Sequence, residues 1–342
     1  MQQKSFFKVI FIFLFVALLL GIFLYDQNTK LYSGSQFAMD TFMSYKLCGI
    51  NAQKTIEEIK TYVSDLDKKL SLYSEQSEVS KINENAGKDF VKVSNDTFEI
   101  ISYAKKLCSE SNGSFDITIA PLTKLWNIMS ENPKVPDAQE IDAKKELVNF
   151  NDIILDESTT SVKLLKEGQA IDLGGIAKGY VCQKVVEICK RNGVKSGIIS
   201  IGGNIAILGK ESIDVSITIP ERNKEGTFAK VQIKNTIIAT SGGYERYFEE
   251  NGIIYEHIID PSSGFPAESD LISVSVISND GIITDAMSTR FYIEGLESVK
   301  KNLNDDSIGI IAVDCQKNVY VSNWLKEFVI LNEQFPEYNF AE

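Results

Sequence analysis

Residues 170–209 read AIDLGGIAKGYVCQKVVEICKRNGVKSGIISIGGNIAILG. A short apolar run meets a Gly-Gly pair at 174–175, and a stretch with apolar residues at helical spacing follows it. Gly193 falls where a helix C-terminus wants a left-handed residue. Residues 198–201 and 205–208 are short, β-branched and separated by a second Gly-Gly pair, the pattern of buried strands joined by a tight turn. The spacing predicts strand, turn, helix, strand, turn and strand. Outward from this segment, residues 55–70 and 97–108 carry apolar side chains at helical spacing, while 147–165 and 228–240 alternate as strands do. Strands are also expected at 271–278 and 308–313, with a helix over about 285–293 between them. The mixture predicts α+β, or α/β with a mixed sheet.

At the N-terminus, Lys4 and Lys8 precede an uncharged apolar run over residues 9–25. Its length is at the lower limit for spanning a bilayer and long for a signal-peptide core. No small-x-small cleavage site follows Leu20, so an uncleaved anchor over residues 1–25 is expected, with a cleaved signal peptide as the alternative. The two lysines belong on the cytoplasmic side, which puts the rest of the chain on the extracytoplasmic face of the cell membrane. Residues 26–36 are expected as a polar linker and 37–342 as one folded unit, because no later stretch has a separating composition and no repeat is visible.

An apolar content of 44% and a charged content of 24% suit a globular protein with a real core. With 47 acidic against 35 basic residues the formal charge is −12, which excludes a basic stripe for nucleic acid. A chain this acidic would need a local counter-charge, such as a divalent cation, to handle any anionic ligand. The five cysteines form no C-x-x-C pair, which argues against a thiolate metal site. Cys182 and Cys189, seven apart in a helical segment, are expected in apolar packing.

Four segments can carry chemistry. In T-D-A-M-S-T, residues 284–289, Asp285 and Thr289 stand at i and i+4 of the expected helix, so a carboxylate and a hydroxyl share one face. These are hard oxygen ligands suited to Mg²⁺, although the same spacing suits Asp285 as a helix cap with Thr289 in the core. The D-L-G-G-I-A-K-G-Y segment, residues 172–180, can bring a backbone turn, a helix N-terminus and Lys178 to an anion, or simply pack tightly. His257, the sole histidine, stands in the turn-rich E-H-I-I-D-P-S-S-G-F-P and suits proton transfer, phosphate contact or a structural role. Residues 112–126, N-G-S-F-D-I-T-I-A-P-L-T-K-L-W, offer aromatics and Asp116 for a planar ring, or core.

Taken together and in order, these segments resemble the ApbE family of FAD:protein FMN transferases. The resemblance also runs through A-M-D-T at 38–41, L-S-L-Y-S-E-Q-S-E at 70–78, I-G-G-N at 201–204 and A-T-S-G-G-Y-E-R-Y-F at 239–248. It implies a single large α+β ApbE-like, T-fold-like domain with mixed or antiparallel sheets and packed helices. It implies a Mg²⁺ site on the side chains of Asp285 and Thr289 and a backbone carbonyl at Gly175. Contacts to FAD, the substrate, are implied at Met39, Tyr73, Ser114, Phe115, Asp116, Asp172, Lys178 and Ile259. Catalytic roles are implied for His257 and Asp285. The implied reaction is Mg²⁺-dependent transfer of FMN from FAD to a Thr or Ser of an extracytoplasmic acceptor flavoprotein, with release of AMP. FAD hydrolysis and non-catalytic flavin binding are the alternatives. Three departures stand out: the family's M-G-T is M-D-T at Asp40, D-P-R-T-G is D-P-S-S-G at Ser262, and T-S-G-D-Y is T-S-G-G-Y at Gly243.

Overall fold

The computed structural model describes Phe13, Phe15 and residues 29–341. The expected anchor, residues 1–25, lies outside the described residues apart from those two phenylalanines. Among the described residues no helix is long and apolar enough to cross a membrane.

Nine strands form the central sheet: β1 (Leu31–Ala38), β2 (Thr41–Cys48), β3 (Ser196–Ile201), β4 (Asn204–Leu208), β5 (Ile237–Ser241), β6 (Leu271–Ser278), β7 (Gly309–Asp314), β8 (Asn318–Val321) and β9 (Asn339–Phe340). They lie side by side in chain order. Every adjacent pair is antiparallel except β8 with β9. The helices are α1 (Ala52–Leu70), α2 (Glu78–Glu84), α3 (Asn95–Glu110), α4 (Ala120–Trp126), α5 (Ala138–Lys145), α6 (Ala177–Arg191), α7 (Gly281–Glu294) and α8 (Leu296–Asn302).

Period-two alternation sends successive side chains of β6 and β7 to different cores. Val274, Val276, Ile310 and Ala312 meet Phe291 and Tyr292 of α7. Ile277, Ile311 and Val313 meet Phe228 and Val231 of a small three-stranded sheet that covers the opposite face. The apolar faces of α1 and α6 bury against β2 and β3, with α3 packed on α1 and α7 in the same core, and Cys182 and Cys189 lie fully buried there. The α+β class is therefore the observed one, with a largely antiparallel main sheet.

The structure and the sequence expectation differ at several boundaries. Residues 147–152, expected to begin a strand, form a turn and a 3-10 turn ahead of the strands Ile153–Asp156 and Ser161–Leu164. Residues 31–36, expected as linker, belong to β1, because every residue of that strand pairs with β2. Residues 170–173, expected as a strand, are extended but outside any sheet: the Asn83 side chain takes both the N–H and the C=O of Ile171, and Asp172 N–H donates to Ile117. The helix expected from about 285 begins at Gly281, where the Asp280 carboxylate accepts from the N–H groups of Ile282 and Ile283. Gly193 ends α6 as expected, at φ 73°.

Candidate functional site

Because Asp280 caps α7, Asp285 is free of that duty and sits one turn inside the helix. Its carboxylate points at the start of α6 and accepts the Gly179 N–H at 2.8 Å, one of the orphan donors of a helix N-terminus. Two glycines make this approach possible. A Cβ on Gly179 would run into the Gly281 carbonyl and stand 2.6 Å from Asp285 Cβ; a Cβ on Gly281 would stand 2.5 Å from the Gly179 carbonyl oxygen. The sequence motif contained Gly179, but its role in helix packing became visible only once α7 was laid across it.

Thr289, the next residue on that face, donates its hydroxyl to the Asp285 carbonyl at 3.4 Å and holds it beside the Gly174–Gly175 turn, 3.8 Å from where a Gly175 Cβ would be. Ser241 at the end of β5 contacts Thr289 Oγ1 at 3.2 Å and Ser288 Oγ at 2.8 Å. Lys178 Nζ donates to the Gly174 carbonyl at 3.0 Å and lies 3.8 Å from Asp285 Oδ1. A cationic group thus already occupies the space between a backbone carbonyl and a buried carboxylate. The donors gathered here are all hard oxygens, so the residues fit a Mg²⁺ ion. Among the described residues no cluster of three or more His, Cys, Asp or Glu exists.

The second Gly-Gly pair converges on the same place. Gly202, at φ 59°, leaves room for Thr41 Oγ1 and for the stem of Lys178. The β1–β2 turn stands beside them, with Met39 at φ 51° and Asp40 at φ 54°. Asp40 thus occupies a left-handed position that favours glycine, and its type is among the few that tolerate it. Arg246 donates to the Asp40 carbonyl at 3.2 Å. The turn ends of β1, β3 and β5 and the first turn of α6 therefore meet at one end of the sheet.

His257 lies against this cationic group. Its Nδ1 is 3.2 Å from the Arg246 carbonyl, and a carbonyl can only accept, so Nδ1 carries the proton and Nε2 is left as an acceptor. Burial, then the charges of Arg246 and Lys178, push the imidazole down to about 4, so it is neutral near pH 7.

The expected flavin contacts divide in two. Met39, Tyr73, Asp172 and Lys178 lie on the rim of the site: the Tyr73 phenol is pushed up by partial burial and then by the nearby carboxylates of Asp172 and Asp40. Asp172 accepts the Gly174 N–H at 2.8 Å and so shapes the turn. Phe115 is buried beneath that turn, with its ring edge 3.1 Å from a Gly175 Cβ position. The other side chains are committed elsewhere. Asp116 is buried and accepts from Thr118 N, Thr118 Oγ1 and Phe150 N at 2.7, 2.6 and 3.0 Å. Ser114 donates to Glu294 at 2.5 Å, and Ile259 is core beside Trp126. Trp126 itself is fully buried, with its indole N–H on the Gly264 carbonyl at 2.9 Å.

A sequence model of the ApbE family matches residues 39–313. The chain belongs to the ApbE family. It is similar to the FAD:protein FMN transferase of Klebsiella pneumoniae, 36% identical over 274 residues that cover 79% of this chain and 85% of the relative. It is also similar to that of Treponema pallidum, 30% identical over 71% of this chain and 72% of the relative. Among solved structures, the ApbE protein of Thermotoga maritima superimposes with a TM-score of 0.81 at 29% identity, covering 87% of this chain and 99% of its own. Within this ApbE chain, sequence reasoning passed over Gly179, Ser241, Ser288 and Arg246 as site residues. All four lie inside or beside quoted motifs, but their contacts depend on the crossing of α6 with α7, the end of β5 and the β1–β2 turn.

Proposed function

We propose that this chain is a Mg²⁺-dependent FAD:protein FMN transferase that joins FMN to a Thr or Ser hydroxyl of an extracytoplasmic acceptor protein and releases AMP. The observation that carries the reading is that Asp285 and Thr289 converge with the Gly174–Gly175 turn at the N-terminus of α6. Asp285, Thr289 and a backbone carbonyl of that turn, the one at Gly175 by family resemblance, would hold the ion. Bound there, Mg²⁺ supplies charge neutralisation and orientation at the diphosphate.

The chain's own groups provide the rest. Lys178 and Arg246 present positive charge to the phosphates, and the α6 N-terminus adds its dipole. His257 Nε2, unprotonated, is the acceptor for the proton of the attacking hydroxyl. The acceptor oxygen forms a bond to the FMN phosphorus as the bond to the bridging oxygen breaks, and AMP leaves with that oxygen. Tyr73 and Met39 supply aromatic and apolar surface for the flavin side, and Phe115 packs beneath the Gly174–Gly175 turn and supports it. Thr240, which with Ala239 forms an Ala-Thr pair resembling the end of a family acceptor motif, lies within β5 and bonds Ser275 Oγ at 2.7 Å, which supports a separate acceptor protein.

The anchor expected at residues 1–25, with Lys4 and Lys8 on its cytoplasmic side, would hold the domain on the extracytoplasmic face; protease accessibility in intact cells tests it. The enzymatic reading is tested by mixing the full chain with FAD, Mg²⁺ and candidate acceptor proteins. Mass spectrometry should find an FMN-sized adduct on a Thr or Ser with an equal amount of AMP. FMN and AMP appearing without an adduct identify a hydrolase, and FAD retained intact identifies a carrier; either outcome overturns the proposal.

A further inference from the structure

Gly243 does not have a left-handed backbone, so conformation does not demand glycine there. Space does. A Cβ at 243 would overlap the carboxylate of Glu256 and stand 2.8 Å from the Tyr292 hydroxyl. Glu256 ends the strand Ile253–Glu256 and is buried, next in sequence to His257. Its Oε2 accepts the Tyr292 hydroxyl at 2.8 Å, and that hydroxyl accepts the Gly243 N–H at 3.2 Å. Its Oε1 is buried with no hydrogen-bond partner in the structure. The titratable and charged groups facing it are Tyr292 of α7 and Arg222, whose guanidinium covers the Tyr247 ring at 4.3 Å.

The relay has a destination. Gly243 lies two residues after Ser241, whose hydroxyl touches Ser288 and Thr289, and Tyr292 lies one turn after Thr289 on α7. We infer that Glu256 is a positioning residue that replaces a side chain at position 243: its carboxylate fills that space and, through Tyr292, clamps the 241–243 turn to α7 so that Ser241 orients Thr289. The family pattern carries Asp at 243, and here the carboxylate reaches the same volume from the neighbouring strand. A carboxylate at 256 and a side chain at 243 therefore exclude one another. The inference rests on the proposed role of Thr289 in holding Mg²⁺.

The test compares the full chain with its Gly243→Asp, Glu256→Gly, Glu256→Gln and Gly243→Asp/Glu256→Gly variants, measuring Mg²⁺ binding by calorimetry in the presence of FAD, together with thermal unfolding. Gly243→Asp alone should weaken Mg²⁺ binding at least tenfold, and Glu256→Gly should weaken it severalfold. The double variant should return to within about threefold of the parent, because one carboxylate again occupies one volume. Glu256→Gln should bind Mg²⁺ as the parent does, since its amide oxygen still accepts from Tyr292. Additive effects in the double variant, or stability changes with Mg²⁺ binding unmoved, would overturn the inference. If Gly243→Asp does not fold, a Glu256→Gly chain that binds Mg²⁺ as tightly as Glu256→Gln overturns it equally. A parent chain that binds no Mg²⁺ with FAD refutes the proposed function instead.

Discussion

Replacing Gly179 by Ala adds one methyl group at the point where α6 crosses α7, and the structure sets its cost. The new Cβ would stand 2.6 Å from Asp285 Cβ and overlap the Gly281 carbonyl. Carbon atoms pack at about 3.5–4.0 Å, so the helices must part by about 1 Å. The bond from Gly179 N–H to Asp285, now 2.8 Å, then stretches to about 3.8 Å, outside hydrogen-bonding range. Overpacking of this kind costs about 1–3 kcal/mol, and a lost bond to a charged acceptor about 1.5–3 kcal/mol. A total near 4 kcal/mol, against an unfolding entropy of about 2.1 cal/mol/K per residue over roughly 310 residues, lowers the Tm by about 6 °C. Because the same displacement carries Asp285 away from the Gly174–Gly175 turn, FMN transfer should also require much more Mg²⁺. Differential scanning calorimetry and a Mg²⁺ titration of FMN transfer check the two halves. A Gly179→Ala protein with parental melting and parental Mg²⁺ dependence would refute the argument that this glycine contact places Asp285.

Two other perturbations separate charge from shape. Asp285→Asn keeps an acceptor for the Gly179 N–H but removes the negative charge, so it should melt within about 2 °C of the parent while FMN transfer falls by at least about 100-fold. Parental transfer rates in this variant would remove Asp285 from the proposed metal set. Glu256, raised from 4.5 to about 7 by burial against the opposing effects of Tyr292 and Arg222, holds a proton in the folded state that the unfolded chain has released. Its contribution to stability is fully present below about pH 4.5 and is lost as pH rises to about 7, roughly 3 kcal/mol in all. Urea unfolding from pH 4.5 to 8 should show that loss as a gap of roughly 3 kcal/mol opening between Glu256→Gln and the parent, since the opposite contribution of His257 is common to both; parallel curves would contradict it.

The sequence was informative where local physics decides the outcome. Periodicity located α1 and α3 because each buries one regularly spaced face, β6 and β7 were legible as short β-branched apolar runs buried on both faces, and Gly193 marked the end of α6 through its backbone preference. It misplaced the start of α7 because residues 281–284 are buried or half-buried all round and show no amphipathic stripe, so the capping Asp280 was passed over. It assigned a strand to residues 170–173 because a buried extended segment has the composition of one, whether its partner is a strand or, as here, the side chain of Asn83. The pairing of Asp285 with Thr289 followed from a four-residue spacing. Contacts of Ser241, Gly179 and Arg246 depend on chain segments dozens of residues apart, and no local pattern records them.

The electrostatics of the site tie its parts together. A chain with a formal charge of −12 has placed Lys178 and Arg246 beside its sole histidine and aimed the N-terminus of α6 at the same spot. Burial and those two cations hold His257 near 4, where it is a weak base. An anionic diphosphate bound between the cations would oppose the part of that shift due to their charge, since a nearby negative charge favours the imidazolium. The imidazole would then gain basicity when FAD is present, which is when a hydroxyl proton needs an acceptor. Following the His257 ring signal by NMR through a pH titration should show its midpoint move upward when FAD is added. A midpoint unchanged by FAD would separate His257 from the phosphates and leave it a structural residue.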